Sequence, residues 1–324
     1  MSDSINVVFV FDDKFSDLFR VAVHSMAKNT GKNLRIHVVD CGISAENRRK
    51  ILEITAKYGN VSSVRVRAPR RIDVFENFIT PKHFNSSIFY RLTIGETFPD
   101  IAEDRYIYID CDVLVDGDIA ELWNVDLKNA AFGAVSEDKN FVNSLRRRAS
   151  LGIAHAEYFN SGVMLIDGKK FMESEIFERT LKFVETTEME LGCSEQDAMN
   201  ACLGEHECLP LSPKFNFMPF AEYSKRCLRR DGNPVIVHYA GPKPWVINRR
   251  VAQLMESVHL FQHSSRMLMK FWKYADEVDG VTFPNSKSNS QTADFFCKRL
   301  LQPIERTIRK SWKTLTGQRG KFAY

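Results

Sequence analysis

Apolar residues in the first seventy positions follow two alternating patterns. Three short runs rich in β-branched and aromatic residues, at 5–11, 34–39 and 61–66, are typical of buried strands. Between them, apolar residues recur at helical spacing from Leu18, and Ser44 begins a second helical stretch as its N-cap. This strand–helix–strand–helix–strand order predicts an α/β fold with a doubly wound sheet.

The chain continues this mixed pattern to about residue 274. No G-x-G-x-x-G follows the first strand, which excludes the usual dinucleotide-binding loop. An amphipathic stretch after Arg249 predicts a helix that ends near Tyr274. Further strands are expected at 106–109, 132–136, within 158–167 and at 234–239, and helices at 86–95, 118–123, 169–186 and 194–203.

Two carboxylates stand directly after the strand predicted at 106–109, whose apolar residues indicate burial on both faces. Asp110 and Asp112 are one residue apart, and burying an unpaired carboxylate is costly. Ligands collect at the carboxyl ends of strands in open α/β sheets, where a divalent cation would compensate both charges. The alternative is a plain turn, since Asp is a common turn residue.

The composition is that of a globular protein. The 324 residues are 44% hydrophobic and 27% charged, enough to bury a full core. No run of eighteen apolar residues exists, and the start of the chain lacks a basic n-region and a cleavage site, so we expect no membrane span or signal peptide. Seven cysteines without a C-x-x-C pair argue against a disulfide framework or a zinc site, and for a cytoplasmic protein.

Charge is unevenly distributed along the chain. The net charge is +4, but residues 298–324 hold eight Lys/Arg and one acid, about +7, which leaves −3 elsewhere. The body is therefore not a nucleic-acid binder by charge. After a polar stretch at 285–292, the tail spaces apolar residues four apart, which is typical of an interfacial helix on anionic lipid. A terminal helix packed on the body is the alternative.

Three further motifs place polar side chains at expected strand or helix ends. His238 ends the late strand before Gly241 and Lys243, so an imidazole can complete a metal site and a lysine can meet a phosphate. The alternative is a hydrogen-bonded core histidine. Asn160-Ser161-Gly162 precedes an apolar run as a pocket rim or a tight turn. Glu195-Gln196-Asp197 opens a helix, where acids favour the dipole but the glutamine is not needed.

These motifs occur in a fixed order: Tyr108 to Asp112, Tyr158 to Ile166, Ser194 to Asp197 and His238 to Trp245. Together they resemble glycosyltransferase family 8, the retaining enzymes of the GT-A fold that use UDP-sugars and manganese. The family includes bacterial lipopolysaccharide galactosyl- and glucosyltransferases and the glycogenins. The resemblance covers residues 5 to 250 and implies a Rossmann-like mixed sheet flanked by helices, with a helical basic C-terminal extension.

The resemblance also implies a cation and phosphate site. Asp110, Asp112 and His238 would hold Mn²⁺, or Mg²⁺ in its place, against the donor diphosphate. Gly241 and Lys243 would meet the phosphates.

The same resemblance implies a pocket for the nucleoside and the sugar. Phe15 would stack on the uracil, and either Glu137 or Asp138 would touch the sugar. The residues expected to bind the donor are Asp12, Asp13, Phe15, Arg91, Asp110, Cys111, Asp112, Asn160, Ser161, Glu195, Gln196, Gly241 and Lys243. Three of them would be catalytic residues: Asn160, Glu195 and Gln196.

Two positions depart from the family pattern. Lys14-Phe15 stands where the family has Asn-Tyr, which bears on the contact with the base. One residue, where the family has two, separates Gly241 from Lys243, which bears on the reach of the lysine to the phosphate.

The sequence therefore predicts a retaining glycosyltransferase that moves galactose or glucose from a UDP-sugar to a saccharide acceptor, such as a lipopolysaccharide or glycolipid core. Because the amide of Gln196 is a poor nucleophile, we expect front-face attack by the acceptor beside the departing UDP. The alternatives are a glycogenin-like self-glucosylating protein and a non-catalytic nucleotide-sugar-binding module. A haloacid dehalogenase-type phosphatase is disfavoured, because it needs Thr where Leu114 stands.

Three segments are expected along the chain. A GT-A catalytic domain would occupy 1–250, a helical packing segment 251–284, and a linker with the basic amphipathic segment 285–324. The resemblance favours membrane docking of that last segment, which would hold a cytoplasmic protein peripherally on the inner face of the inner membrane.

Overall fold

A mixed sheet forms the centre of the computed structural model, which describes residues 4–70, 86–137, 142–153, 157–187, 191, 194–219, 232–241, 243–246, 253 and 262–283. Within this part of the chain the sheet has seven strands in the order β3-β2-β1-β4-β7-β6-β8. These strands are β1 Ser4–Phe11, β2 Asn33–Asp40, β3 Val61–Arg67, β4 Arg105–Ile109, β6 Phe132–Ser136, β7 Phe159–Asp167 and β8 Cys208–Pro210. A second, two-stranded sheet pairs β5 Val113–Val115 with β9 Ile236–His238.

Helices cover both faces of the main sheet. In the part of the chain that the structure describes, the α-helices are α1 Ser16–Asn29, α2 Ala45–Ala56, α3 Ile94–Thr97, α4 Ala120–Trp123, α5 Val142–Ser150, α6 Gly168–Glu173, α7 Ile176–Thr186, α8 Ser194–Cys202 and α9 Gln262–Ala275. The described residues also form 3-10 helices at Asp13–Phe15, Ser86–Thr93 and Pro213–Phe215.

The sheet is parallel in its first half and mixed in its second. β1 pairs in parallel with β2 and β4, whereas β7 runs antiparallel to both β4 and β6. Successive residues of β1 point to opposite faces, so Val7 packs in one apolar core and Val8 in the other. Ile107 and Tyr108 divide between the same two cores, which confirms that β4 is buried on both faces. The predicted Rossmann-like mixed sheet is therefore confirmed.

The helix predicted at 169–186 is wrong in its continuity. Two helices stand there, and the chain turns between them at Glu175, whose φ of 53° lies in the left-handed region. The hydroxyl of Ser174 donates to the carbonyl of Phe171 and closes the first helix. The amphipathic period continues across this turn, so hydrophobic spacing alone did not reveal it.

Asn160-Ser161-Gly162 belongs to β7 and is neither a turn nor a segment before the strand. Asn160 lies opposite Val135 after an irregularity in the β6–β7 register, and the carbonyl of Gly162 accepts from the amide of Asp110. Antiparallel partners on both sides therefore extend the strand through three polar or small residues, which strand propensity does not favour.

Two other predicted elements are corrected. The helix expected at 86–95 is a 3-10 helix followed by a short α-helix. The strand expected at 234–239 is limited to three residues, because its antiparallel partner β5 has only three.

Helix α9 joins the same core as β1 and α1. Leu268 and Phe271 are fully buried in it, and Trp245 packs against Phe271 with ring centroids 5.3 Å apart. No helix in the described part of the chain is both long and apolar enough to cross a membrane. The predicted linker and basic segment at 285–324 lie outside the described residues. The proposed division of the chain at 250 stays a prediction.

Candidate active site

Strand pairing brings together three residues that are far apart in sequence. Asp110 and Asp112 follow β4, and the next residue, Val113, lies opposite His238 in the β5–β9 ladder. The imidazole Nε2 lies 3.3 Å from Asp112 Oδ1 and 3.9 Å from Asp110 Oδ2. One ligand atom from each residue falls within 4.8 Å of the others. Two carboxylates and one imidazole in this arrangement fit a divalent cation.

Gly162 forms one wall of this cluster. A Cβ at position 162 would lie 2.3 Å from Cε1 of His238 and 2.7 Å from Oδ2 of Asp110. Any side chain there would displace at least one of these two groups, so close packing of backbone against the cluster requires glycine.

Asn216 holds the imidazole from the other side. Its Oδ1 lies 2.9 Å from Nδ1 of His238, and the whole asparagine is 0% exposed. Asn216 ends the 3-10 turn at Pro213–Phe215, a sequence with no motif that distinguishes it from an ordinary turn. Sequence reasoning therefore missed this residue.

Lys243 forms an ion pair with Asp112 and donates to the carbonyl of Tyr239 at 2.8 Å. Burial alone raises the pKa of Asp112, but Lys243 and His238 outweigh it and hold that pKa well below its usual range. Gly241 has a φ of +112°, a backbone conformation that favours glycine, and it allows the turn that returns Lys243 to the cluster.

Arg91 connects the acidic pair to Glu195, the first of a group of buried polar side chains. Its guanidinium lies 3.2 Å from Asp110 and 3.2 Å from Glu195, and it stacks on the ring of Tyr108. Burial raises the pKa of the Glu195 carboxyl, and Arg91 opposes that rise. The arginine also donates to the hydroxyl of Ser161 at 3.0 Å, so it orders the carboxylates around one end of β7.

A buried network of polar side chains continues from this point. Gln196 Oε1 accepts from Asn160 Nδ2 at 3.1 Å and from the amide of Ser161 at 3.0 Å. Its Nε2 donates to the hydroxyl of Tyr158 at 2.8 Å and lies 3.4 Å from Glu137 Oε1. Burial raises the pKa of Glu137. Glu137 thus stands beside the predicted sugar pocket, whereas Asp138 lies outside the described residues.

Two further residues surround this network. Asp197 accepts from the Tyr158 hydroxyl at 2.6 Å, and Arg147 lies 3.5 Å from Asp197 and 3.9 Å from Glu137. Nothing in the sequence around Arg147 indicated that it would lie beside Asp197 and Glu137. The tyrosine stood in a motif, and its role in orienting Gln196 follows only from the structure.

The first loop lies at the same edge of the sheet, because β1 and β4 are parallel neighbours. Asp12 caps the turn at 13–15, and Phe15 is 38% exposed, with its ring open to solvent. Asp13 accepts from the amide of Ser44 and from Asn47 at 2.7–2.8 Å, and these bonds lower its pKa. Asp13 therefore anchors the loop to the start of α2.

Cys111 has a different place from its neighbours. Its side chain is buried in the apolar core, and burial raises the pKa of its thiol far above the ordinary value. The thiol is therefore neutral and buried, so a donor-binding role for Cys111 would involve its main chain.

Known proteins are similar to this chain in sequence and fold. Residues 6–248 match the model of glycosyl transferase family 8. General stress protein A of Bacillus subtilis is 27% identical over 248 residues, which cover 72% of this chain and 84% of that protein. Lipopolysaccharide 1,3-galactosyltransferase of Salmonella typhimurium is 24% identical over 253 residues, covering 75% and 74%.

Among solved structures, the galactosyltransferase LgtC in complex with donor and acceptor sugar analogs has a TM-score of 0.68 at 26% identity. The likeness covers 86% of this chain and 98% of LgtC. Because the family model spans most of the sequence and the mixed sheet has the GT-A arrangement, the chain belongs to glycosyl transferase family 8.

Proposed function

We propose that the protein is a retaining glycosyltransferase that moves galactose or glucose from a UDP-sugar to a saccharide acceptor. One observation carries the proposal: the cluster of Asp110, Asp112 and His238 adjoins a buried network of amide and carboxylate side chains. The cation cluster would bind the diphosphate of a nucleotide sugar, and the amide and carboxylate groups would bind the hydroxyls of its sugar. The names of two similar proteins, a lipopolysaccharide 1,3-galactosyltransferase and the galactosyltransferase LgtC, support a hexose donor.

The cluster would hold Mn²⁺, with Mg²⁺ as the alternative. The site has two carboxylates and an imidazole, and Gly162, without a side chain, lets them pack directly against β7. A cation bound there supplies positive charge against the diphosphate leaving group. Lys243, now paired with Asp112, would reach the same phosphates as a point charge.

The sugar pocket would act by orientation. Glu195 and Glu137 present carboxylates at the ends of the network and would accept hydrogen bonds from hexose hydroxyls. Gln196 Oε1 already accepts two N–H groups, which orients the amide and lowers the electron density available for attack. This commitment supports front-face attack by the acceptor over double displacement at Gln196.

A test is release of UDP from UDP-galactose and UDP-glucose by the purified full-length chain, with and without Mn²⁺. We expect Mn²⁺-dependent turnover that falls at least 100-fold, about 3 kcal/mol in the barrier, in Asp112→Asn. Asp104→Asn, which changes an exposed aspartate before β4, serves as the matched control.

Three results would contradict the proposal. A folded protein that binds UDP-sugar without releasing UDP would be a binding module. Turnover equal in Asp112→Asn would remove the cluster from the chemistry. A gain of hexose masses on the protein itself, seen by intact mass spectrometry, would identify self-glucosylation in place of transfer to a separate acceptor.

A further inference from the structure

Asn216 bridges the cation cluster and the sugar pocket. Its Oδ1 faces Nδ1 of His238 at 2.9 Å, and its Nδ2 lies 2.9 Å from Oδ1 of Asn160. All three side chains are buried, so these groups can satisfy one another only in the right orientation.

Backbone amides determine the direction of every bond in this row. The amide of Gly162 can only donate, and it donates to Asn160 Oδ1 at 3.0 Å. The same oxygen therefore accepts from Asn216, which must present its NH₂ group to it. The amide of Ser161 likewise marks Gln196 Oε1 as an acceptor, so Asn160 presents its own NH₂ there.

These directions select one tautomer of His238. With its NH₂ turned to Asn160, Asn216 can offer His238 only its carbonyl oxygen. Nδ1 must therefore carry a proton, because the other neutral tautomer would place two acceptors 2.9 Å apart. Nε2, which faces Asp110 and Asp112, then keeps the lone pair that a cation needs.

We propose that Asn216 is a positioning residue that selects the Nδ1–H tautomer of His238 for cation binding and couples that site to the sugar pocket through Asn160. The inference rests on the proposed cation site. Removing the hydrogen-bond partner of the second nitrogen of a ligating histidine typically lowers metal affinity by roughly 10- to 100-fold. Asn216 therefore contributes to affinity without touching the cation.

Mn²⁺ titration of the full-length chain by calorimetry tests the proposal without relying on activity. Asn216→Ala removes the acceptor, and we expect it to weaken Mn²⁺ binding roughly 10- to 100-fold. Asn216→Asp keeps an acceptor for Nδ1, so it should bind Mn²⁺ no more weakly than the wild type. It should weaken UDP-sugar binding, because a carboxylate oxygen would then face Asn160 Oδ1.

A matched control is Asn6→Ala. Asn6 is a buried asparagine whose Oδ1 faces a ring nitrogen of the buried His37 at 3.4 Å, in the same sheet but outside the cluster. Its loss should leave Mn²⁺ affinity unchanged. A general loss of packing would weaken binding in all three variants alike, and that result would overturn the proposal.

The outcomes separate this inference from the proposed function. A wild-type chain that does not bind Mn²⁺ removes the cation site and the inference together. A wild-type chain that binds Mn²⁺, beside an Asn216→Ala chain of equal affinity, overturns the role of Asn216 alone.

If Asn216→Ala does not fold, the ¹⁵N imidazole spectrum of the Mg²⁺-loaded wild type decides. The His238 signal, assigned by its loss in His238→Gln, should show the Nδ1–H pattern. An Nε2–H pattern would overturn the proposal.

Discussion

At the scale of single residues, Gly162 limits what the site can contain. The cluster of two carboxylates and an imidazole packs directly on its Cα, with no room for a methyl group. The sequence showed only a glycine between a serine and an apolar run. Its role depends on His238 of β9 packing against β7, a contact between distant segments that no local pattern encodes.

We predict that Gly162→Ala impairs the cluster more than the fold. The new Cβ would push His238 away from Asp110, and overpacking of this kind typically costs about 1–3 kcal/mol of stability. Mn²⁺ affinity, measured by calorimetry, should fall at least tenfold, or about 1.4 kcal/mol.

The matched control for this prediction is Gly59→Ala. A Cβ at Gly59 meets no atom within 4 Å, so both stability and Mn²⁺ affinity should stay near the wild-type values. Unchanged Mn²⁺ affinity in Gly162→Ala would contradict the prediction, because it would show that His238 and Asp110 can accommodate the added methyl group.

At the scale of elements, the pairing of β1 with β2 buries a titratable group away from the site. His37 of β2 faces Asn6 of β1 and packs edge-on against Phe98. Burial, helped by the charge of Arg65, lowers the pKa of His37 from 6.5 to about 4. The folded protein therefore keeps this imidazole neutral where the unfolded chain would protonate it.

This shift predicts acid sensitivity with a definite sign. The folded-state pKa lies below the unfolded value, so the stabilisation is complete above pH 6.5 and is lost as the pH falls toward 4. Between pH 7 and pH 5 the loss from His37 is about 2 kcal/mol. Urea unfolding of His37→Gln should show a pH dependence smaller by this amount.

The matched control is His206→Gln, because the His206 side chain is 85% exposed. That variant should keep the full pH dependence of the wild type. Equal slopes for His37→Gln and the wild type would mean that His37 is protonated as readily in the folded protein as in the unfolded chain.

At the scale of the whole molecule, the described chain ends against α1. Asp17 accepts from the amide of Thr282 at 2.7 Å, and Arg20 donates to the carbonyl of Asp279 at 2.5 Å. Phe283 packs on Trp245 with ring centroids 6.0 Å apart. The last described residues, which precede the basic segment in the sequence, are therefore held on the body.

We predict that this segment binds the protein to anionic membranes. Each Lys or Arg near such a surface is worth about 1 kcal/mol, and the tail holds eight of them. The full chain should float with phosphatidylglycerol-containing vesicles at low salt, and much less at high salt. A chain truncated after Asp294 should stay in the soluble fraction with unchanged thermal stability.

Neutral phosphatidylcholine vesicles provide the control, since they offer the tail no charge. If the truncated and full-length chains both float, the body binds the membrane; if neither floats, the protein does not bind it. Either result would contradict the prediction. Membrane location would then no longer support a lipopolysaccharide or glycolipid core as the acceptor.

The sequence by itself determined the fold class and the kind of chemistry to expect. Apolar periodicity located β1, α1, β2, α2 and β3, because these elements bury one face or both faces in a core. The motifs identified which residues to examine, among them Asp110, Asp112, His238 and Gln196. These features are local, so a residue and its near neighbours are enough to indicate them.

Only the tertiary structure decided how those residues meet. The β5–β9 ladder places His238 against the acidic pair, and an asparagine with no motif, Asn216, orients the imidazole. The break at Glu175 and the inclusion of Asn160 in β7 likewise follow from packing partners elsewhere in the chain. Such contacts join segments that are distant in sequence, and their geometry is set by strand pairing and burial, which no local pattern records.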